Sequence, residues 1–399
     1  MKKILLLGGS KQQIPAIKYS KEEGYYTVLC DYLSDNPGQN YADKFYCVST
    51  TDKEAILEVA RKENVNGIVA YASDPAALIA AYVAEKMGLP TNSYNTVKIL
   101  TNKDKFREFL FKNKFCTPRA KGYSNIENIK NEIKNFRLPV IIKPVDSSGS
   151  KGVSKLDDIN NLEKQFEEAL LYSRSKRVIV EEFVEKYGYQ VAGDGLSLNG
   201  KLIFRYFGND HFDNKAFNPF VPISASFPYN MPVEIHDKIH REIQRLFDLL
   251  KIRTGAYNFD IRIDKDKNVY LMEVGPRNGG NYIPQVIKYA TGIDMVKYTI
   301  KSAIGEACNN IEMGNEKGYW SYYAIHSFKG GILKEIKINN DVKNNNIVEM
   351  YLNYSIGDCI PEFTSSNGTL GILIMKFNSM NEMLEMMDNS EKWIEVIVE

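Results

Sequence analysis

The sequence predicts an α/β domain with a parallel sheet at its start, followed by a larger α+β region. Over the first hundred residues, short apolar segments alternate with amphipathic helical segments, which is the pattern of a parallel sheet with crossover helices. After about residue 95 the alternation becomes irregular, and hairpin signals such as Leu198-Asn199-Gly200-Lys201 lie between apolar segments. This change, in a chain of 399 residues, predicts at least two structural units.

Each element of the first domain has its own local signal. The predicted strands cover residues 4–7, 26–30, 45–48 and 67–71, and the predicted helices cover residues 12–23, 52–63 and 73–87. Thr51 or Asp52 caps the second helix, Pro75 stands just inside the start of the third, and Gly88 follows its end. The turn Gly8-Gly9-Ser10 lacks the G-x-G-x-x-G order, which argues against a dinucleotide-dependent dehydrogenase.

The rest of the chain carries longer helices and hairpins. Predicted helices cover residues 103–113, 233–250 and roughly 284–304, and predicted strands at 256–263 and 269–274 flank a polar turn. A long polar segment at 208–215 follows a predicted strand. The last eighty or so residues alternate strand-like segments, among them 319–325 and 371–376, with turns, and predict a small β-rich appendage.

Composition and charge argue against several classes of protein. Lys plus Arg (51) nearly equals Asp plus Glu (50), so no overall basic field points to nucleic acid. The five cysteines contain no C-x-x-C pair, which argues against a zinc site or a disulfide framework and favours reduced thiols in a cytoplasmic enzyme. No apolar run approaches the roughly 18 residues of a membrane span, and the apolar start is too short for a signal peptide. We therefore expect a soluble cytoplasmic protein that binds neither membrane nor nucleic acid.

Two lysines and a glycine-rich loop form a candidate phosphate site. Lys103 opens a predicted helix, where a cation and free amides can hold an anion, although a solvated helix start has the same appearance. Lys143 lies in an apolar strand, and a buried lysine needs an anion nearby. The glycines and serines at 147–153 let backbone amides approach phosphate oxygens. The occurrence of Lys143 together with this loop favours a phosphate site over a surface turn. The loop lacks the order of residues of a Walker A motif, which excludes a P-loop NTPase.

An apolar strand at 177–184 ends in two acidic residues and an aromatic residue. Such a strand end can serve as a hinge whose backbone pairs with an adenine edge while its apolar groups enclose the ring. Many strands end in this way, so an ordinary strand end stays open as the alternative.

Two carboxylates on neighbouring predicted strands form a candidate metal site. Asp260 lies within one apolar strand, and Glu273 lies on the strand that returns from the turn. Two adjacent carboxylates repel each other unless a cation lies between them, and Mg²⁺ bridging nucleotide phosphates is the usual cation. Arg277, in the glycine-rich turn that follows, would face the same phosphates or an anionic substrate. The alternative is a charged hairpin without a ligand.

These motifs together resemble the ATP-grasp superfamily, in particular its carboxylate–amine ligases and the branch of biotin carboxylase and carbamoyl phosphate synthetase. The resemblance covers nearly the whole chain. It implies a Rossmann-like pre-grasp domain at 1–97, a two-lobed ATP-grasp domain at 98–310 with its lid lobe at about 115–185, and a β-rich C-terminal subdomain at 311–399. It also implies ATP and Mg²⁺, with Mn²⁺ as an alternative metal ion.

The resemblance assigns roles to individual residues. It implies that Lys103 and Lys143 reach the ATP phosphates, that Asp260 and Glu273 hold the metal ion, and that Arg277 stabilises an acyl phosphate or holds the substrate carboxylate. The remaining implied nucleotide contacts belong to the mobile lid (Ser147, Ser148, Gly149, Ser150, Gly152 and Val153), the adenine hinge (Glu181, Glu182, Phe183 and Val184), the ribose position (Gln190) and the floor beneath the ring (Leu271).

Two positions depart from the family pattern. The second metal position usually reads Glu-x-Asn, whereas this chain has Glu273-Val274-Gly275, so Asn278, Asn281 or water would have to supply the missing ligand. The acidic residue that usually holds the ribose hydroxyls is Gln190 here, and its carbonyl oxygen can still accept one hydrogen bond. These departures bear on the second metal ion and on nucleotide affinity, not on the expected fold.

The expected reaction joins a small-molecule carboxylate to an amine through an acyl phosphate and releases ADP and phosphate. His211 would help remove the amine proton if the polar segment at 208–215 lines the acceptor site and is not a solvated loop. Two other functions stay open: a carboxylating or formylating enzyme that acts on a nucleotide precursor, and a nucleotide-binding protein without ligase chemistry, which Gly275 and Gln190 favour. The oligomeric state is also open, with a homodimer as one option.

Overall fold

The first domain folds around a parallel sheet, as its sequence predicts. In the computed structural model, which describes residues 1–309, 311, 313 and 316–399, the strands of this sheet are β1 (Lys3–Leu7), β2 (Tyr26–Asp31), β3 (Lys44–Cys47) and β4 (Gly67–Val69). Their order is β3-β2-β1-β4. The helices of the domain are α1 (Ile14–Glu22), α2 (Lys53–Glu63) and α3 (Asp74–Met87). As predicted, the Asp52 side chain caps α2 and Gly88 ends α3 in a left-handed conformation.

Two consecutive helices, α4 (Tyr94–Thr101) and α5 (Lys103–Lys112), lead out of this domain. Only α5 is predicted from the sequence, because the eight residues of α4 give little periodicity to recognise.

An antiparallel sheet with two helices follows, and we call it the lid lobe. Its elements are β5 (Ala120–Tyr123), α6 (Ile126–Glu132), β6 (Val140–Pro144), β7 (Ser154–Leu156), α7 (Leu162–Leu171) and β8 (Val178–Glu182). The strand order is β5-β8-β6-β7, and the helices pack their apolar residues against one face of this sheet. The loop between β6 and β7 carries the glycine- and serine-rich segment.

The next part of the chain builds most of the central sheet. Its elements are β9 (Gln190–Leu198), β10 (Lys201–Phe212), β11 (Pro222–Phe227), α8 (Val233–Leu250), β12 (Gly255–Ile263), β13 (Val269–Gly275), α9 (Ile283–Thr291), α10 (Met295–Ala303) and β14 (Tyr319–Ile325). The predicted hairpin joins β9 to β10 at Asn199 and Gly200. Helix α8 packs on one face of the sheet and α9 on the other, while α10 packs against the first domain.

The C-terminal residues continue this sheet and add a smaller one. They form β15 (Gly331–Ile338), α11 (Asn340–Asn345), β16 (Ile347–Leu352), β17 (Cys359–Ile360), β18 (Gly371–Phe377), α12 (Met380–Asp388) and β19 (Ile394–Val398). The central sheet has the order β13-β12-β9-β10-β11-β14-β18-β16, and the smaller sheet has the order β17-β15-β19. The expected boundary at 310/311 thus lies between strands of one continuous sheet, and the division of the chain at 97/98 and 310/311 stays a proposal.

Two predicted elements differ in the structure. The single helix expected at 284–304 is two helices, because Gly292 ends α9 in a left-handed conformation and the Asp294 side chain caps α10. The polar segment at 208–215 is not a loop throughout, because β10 continues to Phe212 and pairs with β11. Among the described residues, no helix combines the length and the apolar character that crossing a membrane requires.

Candidate active site

The lid lobe, the central sheet and the start of α3 enclose a cleft of about 430 Å³. Most of the predicted site residues line it: Lys103, Lys143, Ser147, Ser148, Gly149, Ser150, Val153, Glu181, Glu182, Val184, Gln190, Asp260, Glu273 and Arg277. Motifs that are far apart in the sequence therefore converge on one concave site. The cleft is the candidate active site.

A buried ion network lies at the lid side of the cleft. The Lys143 ammonium and Glu181 Oε1 form a hydrogen-bonded ion pair, and Arg107 Nε donates to Glu181 Oε2 at 2.8 Å. Burial opposes the charge of Glu181, but the charges of Arg107 and Lys143 outweigh it and lower the pKa of that carboxyl to about 2. Burial in turn lowers the pKa of Lys143, although Glu181 opposes this effect. The network holds the Lys143 ammonium at the wall of the cleft.

Lys103 connects the lid loop to the predicted metal site. Its ammonium donates to the backbone carbonyl of Ser147 at 2.8 Å and lies 3.3 Å from Glu273 Oε2. In the lid loop, Gly149 and Ser150 have φ values of 66° and 57°. The left-handed conformation of these two residues turns the loop over the cleft, where its backbone can meet an anion.

The predicted metal ligands lie directly opposite each other on neighbouring strands. Asp260 on β12 pairs with Glu273 on β13. Burial, and then the nearby carboxylates of Asp210 and Glu273, raise the pKa of Asp260 well above its usual range. Within the described part of the chain, no group of three His, Cys, Asp or Glu side chains is arranged to hold a metal ion. A cation bound by Asp260 and Glu273 would therefore take its other ligands from phosphate oxygens or water.

A β-bulge changes which residue forms the floor of the cleft. The register of β12 and β13 shifts between Asp260 and Ile261, so that Asp260 pairs with Glu273 but Ile261 pairs with Leu271. Met272 is the extra residue, and it lines the cleft together with Glu273. Leu271 is buried in the core on the other face of the strand. Contrary to the prediction for Leu271, this residue does not line the cleft, and Met272 lines it instead.

Arg277 forms a bidentate ion pair with Asp74 of the first domain. Arg277 Nε and Nη2 donate to the two carboxylate oxygens of Asp74 at 2.7 and 2.6 Å, and Nη1 donates to the carbonyl of Asn278 at 3.0 Å. A guanidinium has five N–H groups. In the described part of the chain, one N–H on Nη1 and one on Nη2 are left without a partner. These two groups can hold a carboxylate or phosphate in the cleft.

The same ion pair occupies the space beside Gly275, the position at which the family usually has Asn. A Cβ at Gly275 would lie 3.1 Å from Asp74 Oδ1 and 3.2 Å from Arg277 Cζ, so a larger residue would press on the pair. Of the two candidates for the missing ligand, Asn281 lines the cleft. Asn278 is fully buried, and its Oδ1 accepts a hydrogen bond from Thr299 Oγ1 at 2.8 Å. The structure therefore disfavours Asn278 as a metal ligand.

Gln190 lines the cleft, but its polar atoms are already engaged. Its amide donates to Asp210 Oδ2 at 2.9 Å, and its carbonyl accepts from Arg262 Nε at 2.9 Å. Arg262 also donates to the carbonyl of Val184 at 2.9 Å. Burial raises the pKa of Asp210 to about 7. Arg262 thus joins the predicted hinge to the predicted ribose position. A ribose hydroxyl that donates to the side-chain carbonyl of Gln190 would have to share this oxygen with Arg262.

The structure corrects the prediction for His211. Side chains alternate along β10, so Asp210 and Phe212 line the cleft while His211 points to the opposite face. There His211 is buried, with Nδ1 at 2.7 Å from Asp388 Oδ1 on α12 and Nε2 at 2.8 Å from Ser226 Oγ. His211 joins α12 to the central sheet and cannot reach a substrate in the cleft.

Two further predicted residues lie behind the cleft in the described structure. The centroid of the Phe183 ring lies 5.2 Å from Lys155 Nζ and 5.0 Å from the Arg262 guanidinium carbon. Gly152 packs against α7, where a Cβ would lie 3.2 Å from the Cα of Ala169. Neither residue lines the cleft.

Several residues of the site were not predicted from the sequence. Asp74 is one, although its place at the start of a helix after a parallel strand is where α/β sheets usually bind ligands. Arg107 is another, and it gave no distinct signal, because six of the ten residues of α5 are charged. Asp194 is fully buried and accepts hydrogen bonds from the backbone of Gly279 at 2.9 Å and from Asn258 at 3.0 Å. It holds the loop that carries Arg277.

Comparison with known proteins identifies the family of this site. Residues 110–286 match the family model described as the C-terminus of D-ala D-ala ligase. This range includes Lys143, Asp260 and Glu273 and thus most of the cleft. Residues 110–286, a little under half of the chain, therefore form an ATP-grasp domain.

Curated relatives and solved structures agree with an ATP-grasp fold. The chain is 25% identical over 289 residues to the carbamoyl phosphate synthase large chain of Thermotoga petrophila. The aligned region covers 71% of this chain and only 26% of that protein, so this chain spans about a quarter of the relative's length. It is similar in structure to the L-amino acid ligase of Bacillus licheniformis, with a TM-score of 0.82, 20% identity and coverage of 100% and 99% of the two chains.

A further solved structure was determined with nucleotide and metal. The biotin carboxylase domain dimer of 2-oxoglutarate carboxylase from Hydrogenobacter thermophilus, in complex with magnesium ADP and bicarbonate, has a TM-score of 0.75 to this chain. It is 16% identical, and the match covers 99% of this chain and 90% of that one. Similarities at this level of identity define the fold of this chain and leave its substrates open.

Proposed function

We propose that this ATP-grasp protein is a magnesium-dependent, ADP-forming ligase that activates a carboxylate as an acyl phosphate and transfers the acyl group to an amine. The observation that carries the proposal is the arrangement of charges in one cleft. Three cations, Lys103, Lys143 and Arg277, line the same cavity as the facing carboxylates of Asp260 and Glu273. Polyphosphate and a bridging divalent cation would complement this arrangement.

The nucleotide is expected between the lid loop and the hinge. Lys103, Lys143 and the lid amides would hold the phosphates, while Glu182 and Val184 would border the adenine above Met272. The raised pKa of Asp260 supports a cation site, because burial and neighbouring negative charge both disfavour its ionised form until a cation binds. Asp260 and Glu273 would hold Mg²⁺, which, when bound, neutralises charge on the phosphate oxygens.

The reaction would proceed in two steps. A carboxylate oxygen of the first substrate forms a bond to the γ-phosphorus, and the bond from this phosphorus to the β–γ bridging oxygen breaks to release ADP. The amine then forms a bond to the acyl carbon, loses a proton, and displaces phosphate. The two free N–H groups of Arg277 would orient the carboxylate in the first step. The lid would keep water from the acyl phosphate.

A carboxylating reaction is the second candidate, and the relatives favour it. Carbamoyl phosphate synthase and biotin carboxylase are both among the proteins similar to this chain. In this reading the phosphorylated carboxylate is bicarbonate, and the same cations would hold carboxyphosphate. The third reading, a nucleotide-binding protein without ligase chemistry, accounts less well for the cleft, because it has no use for the two free N–H groups of Arg277 that would hold a substrate carboxylate.

Compartment and assembly are also proposals. All five cysteines are free, which agrees with a reducing compartment such as the cytoplasm. The biotin carboxylase domain is described as a dimer, and we propose a homodimer for this chain on that analogy.

The test is phosphorus NMR of ATP and Mg²⁺ with purified protein and pools of carboxylates and amines, and separately with bicarbonate. We expect ADP and phosphate to appear only with particular pools. Lys143→Ala should abolish this turnover, whereas Lys164→Ala should keep it, because Lys164 lies on the exposed face of α7 and pairs with Glu168 at 3.9 Å. AMP and pyrophosphate would contradict an acyl phosphate, and turnover with bicarbonate alone would favour the carboxylating reaction.

A further inference from the structure

The lid loop rests on two other segments of the chain, which meet above the cleft. Ser150 Oγ donates to the carbonyl of Phe220 at 2.7 Å, and the backbone N–H of Ser366 donates to the carbonyl of Gly149 at 3.2 Å. A Cβ at Gly149 would lie 2.0 Å from Ser366 Oγ, so only glycine permits this approach. The lid is therefore closed onto the loop after β10 and onto the C-terminal residues.

Asn218 joins all three segments with one amide group. Its Nδ2 donates to the carbonyl of Ser150 at 2.9 Å and to the carbonyl of Thr364 at 3.2 Å. Its Oδ1 accepts from the backbone N–H of Phe220 at 3.1 Å. The side chain is buried, with 7% of the residue exposed. A side-chain amide offers two donors and an acceptor in one plane, which is what a junction of three loops requires.

One end of this junction is held firmly by the C-terminal core. Thr364 follows Phe363, which is 1% exposed and whose N–H donates to the carbonyl of Ser327 at 2.9 Å. The other end, Ser150, lies in a loop between the short strands of the lid lobe. Because Thr364 is anchored in a packed core and Ser150 is not, opening of the lid would break the bond from Asn218 to Ser150.

We propose that Asn218 is a positioning residue that latches the phosphate lid to the C-terminal segment, so that this segment controls nucleotide release. The proposal rests on the proposed function, since it treats the cleft as a nucleotide site. Ser366 and Asn367 line the cleft next to the closed lid. The latch thus also completes the wall that keeps water from a reactive intermediate.

Two measurements test the latch. The first is cleavage by trypsin after Lys151, which lies in the lid loop, in protein without nucleotide. The second is the dissociation rate of a fluorescent ADP analogue in a stopped-flow displacement experiment. We expect Asn218→Ala to raise both rates about 10-fold, because at least one buried hydrogen bond is lost when the loop is closed. Asn218→Asp should act in the same direction, since it keeps the size and the acceptor but cannot donate.

Asn353→Ala is the matched control. Asn353 donates from Nδ2 to the carbonyl of Thr369 at 3.0 Å, so it supports the same C-terminal segment at the end away from the lid. It should leave both rates at the wild-type value. Both rates unchanged in Asn218→Ala and Asn218→Asp, with a normal melting temperature, would overturn the latch. A wild-type protein that does not bind the ADP analogue would contradict the proposed function, whereas the trypsin rates would still decide whether Asn218 holds the lid.

Discussion

The carboxylate of Asp74 accepts hydrogen bonds from both Nε and Nη2 of Arg277, at 2.7 and 2.6 Å, and so joins the first helix after β4 to the loop after β13. The side chains are largely buried, with 11% of Arg277 and 18% of Asp74 exposed. Burial opposes the charges of both groups, yet their mutual attraction raises the pKa of Arg277 and lowers that of Asp74. The first domain thereby orients the guanidinium on which the substrate carboxylate is expected.

We predict that Asp74→Ala lowers the rate of ADP formation by about 10²-fold, since a misplaced orienting group has an effect of this size. ADP affinity, measured by calorimetry, should stay close to wild type, because Asp74 pairs with Arg277 and not with Lys143. The variant Asp74→Asn retains one acceptor oxygen, and its rate of ADP formation should lie between those of the wild type and Asp74→Ala. Glu58→Ala, on the exposed face of α2, is the control. Wild-type turnover in Asp74→Ala would show that the pair does not orient Arg277.

Asp260→Asn should weaken metal binding but raise the stability of the metal-free protein. Mn²⁺ affinity in the presence of ADP, measured by electron paramagnetic resonance, should fall more than about 10-fold, since even the outer partners of metal ligands contribute this much. In EDTA at neutral pH the variant should resist urea better than wild type, because burial and the Asp210 and Glu273 carboxylates disfavour ionised Asp260. Asp266→Asn, at the exposed tip of the same hairpin, should change neither quantity. Unchanged Mn²⁺ affinity in Asp260→Asn would refute the metal assignment.

The buried carboxylate of Glu181 should make stability depend on acid pH. Its pKa is about 2 in the folded protein, below the ordinary value of 4.5, because Arg107 and Lys143 outweigh the effect of burial. The folded state therefore binds fewer protons, and this stabilisation is present above about pH 4.5 and lost as the pH falls towards 2. The difference in unfolding free energy between wild type and Glu181→Gln should shrink over this window by on the order of 3 kcal/mol.

Urea unfolding across that pH window is the measurement for Glu181. Glu167→Gln, on the exposed face of α7, provides the baseline for loss of one carboxylate. A difference between wild type and Glu181→Gln that is independent of pH would mean that the Glu181 carboxyl is not held ionised by its two cations.

His211→Gln should lower the melting temperature and leave turnover unchanged. His211 contacts Asp388 and Ser226 on the face of the central sheet away from the cleft, so its loss weakens the attachment of α12. His240→Gln, on α8, is the matched histidine control. A general base contributes about 10² to 10⁴ in rate. A fall of that size in His211→Gln, without unfolding, would restore the catalytic role that the structure contradicts.

Elements with local signals could be predicted from the sequence alone. Cap residues, a hairpin turn and helical periodicity act over a few residues, which is why α2, α3, α8 and the turn between β9 and β10 were predicted closely. The strand lysine, the glycine-rich loop and the acid pair were also recognisable, because charged residues in apolar strands are costly unless they meet a ligand. These signals sufficed for the family and for most of the cleft.

Which side chains face the cleft depends on contacts between distant parts of the chain. Side-chain direction alternates along a strand, so it depends on register with neighbouring strands, and one extra residue reverses it. The bulge in β13 exchanges Leu271 for Met272 in this way, and the continuation of β10 directs His211 away from the site. The pairing of Asp74 with Arg277 arises because the start of α3 and the loop after β13 meet only when the first domain packs against α10. No local preference of the chain encodes that contact.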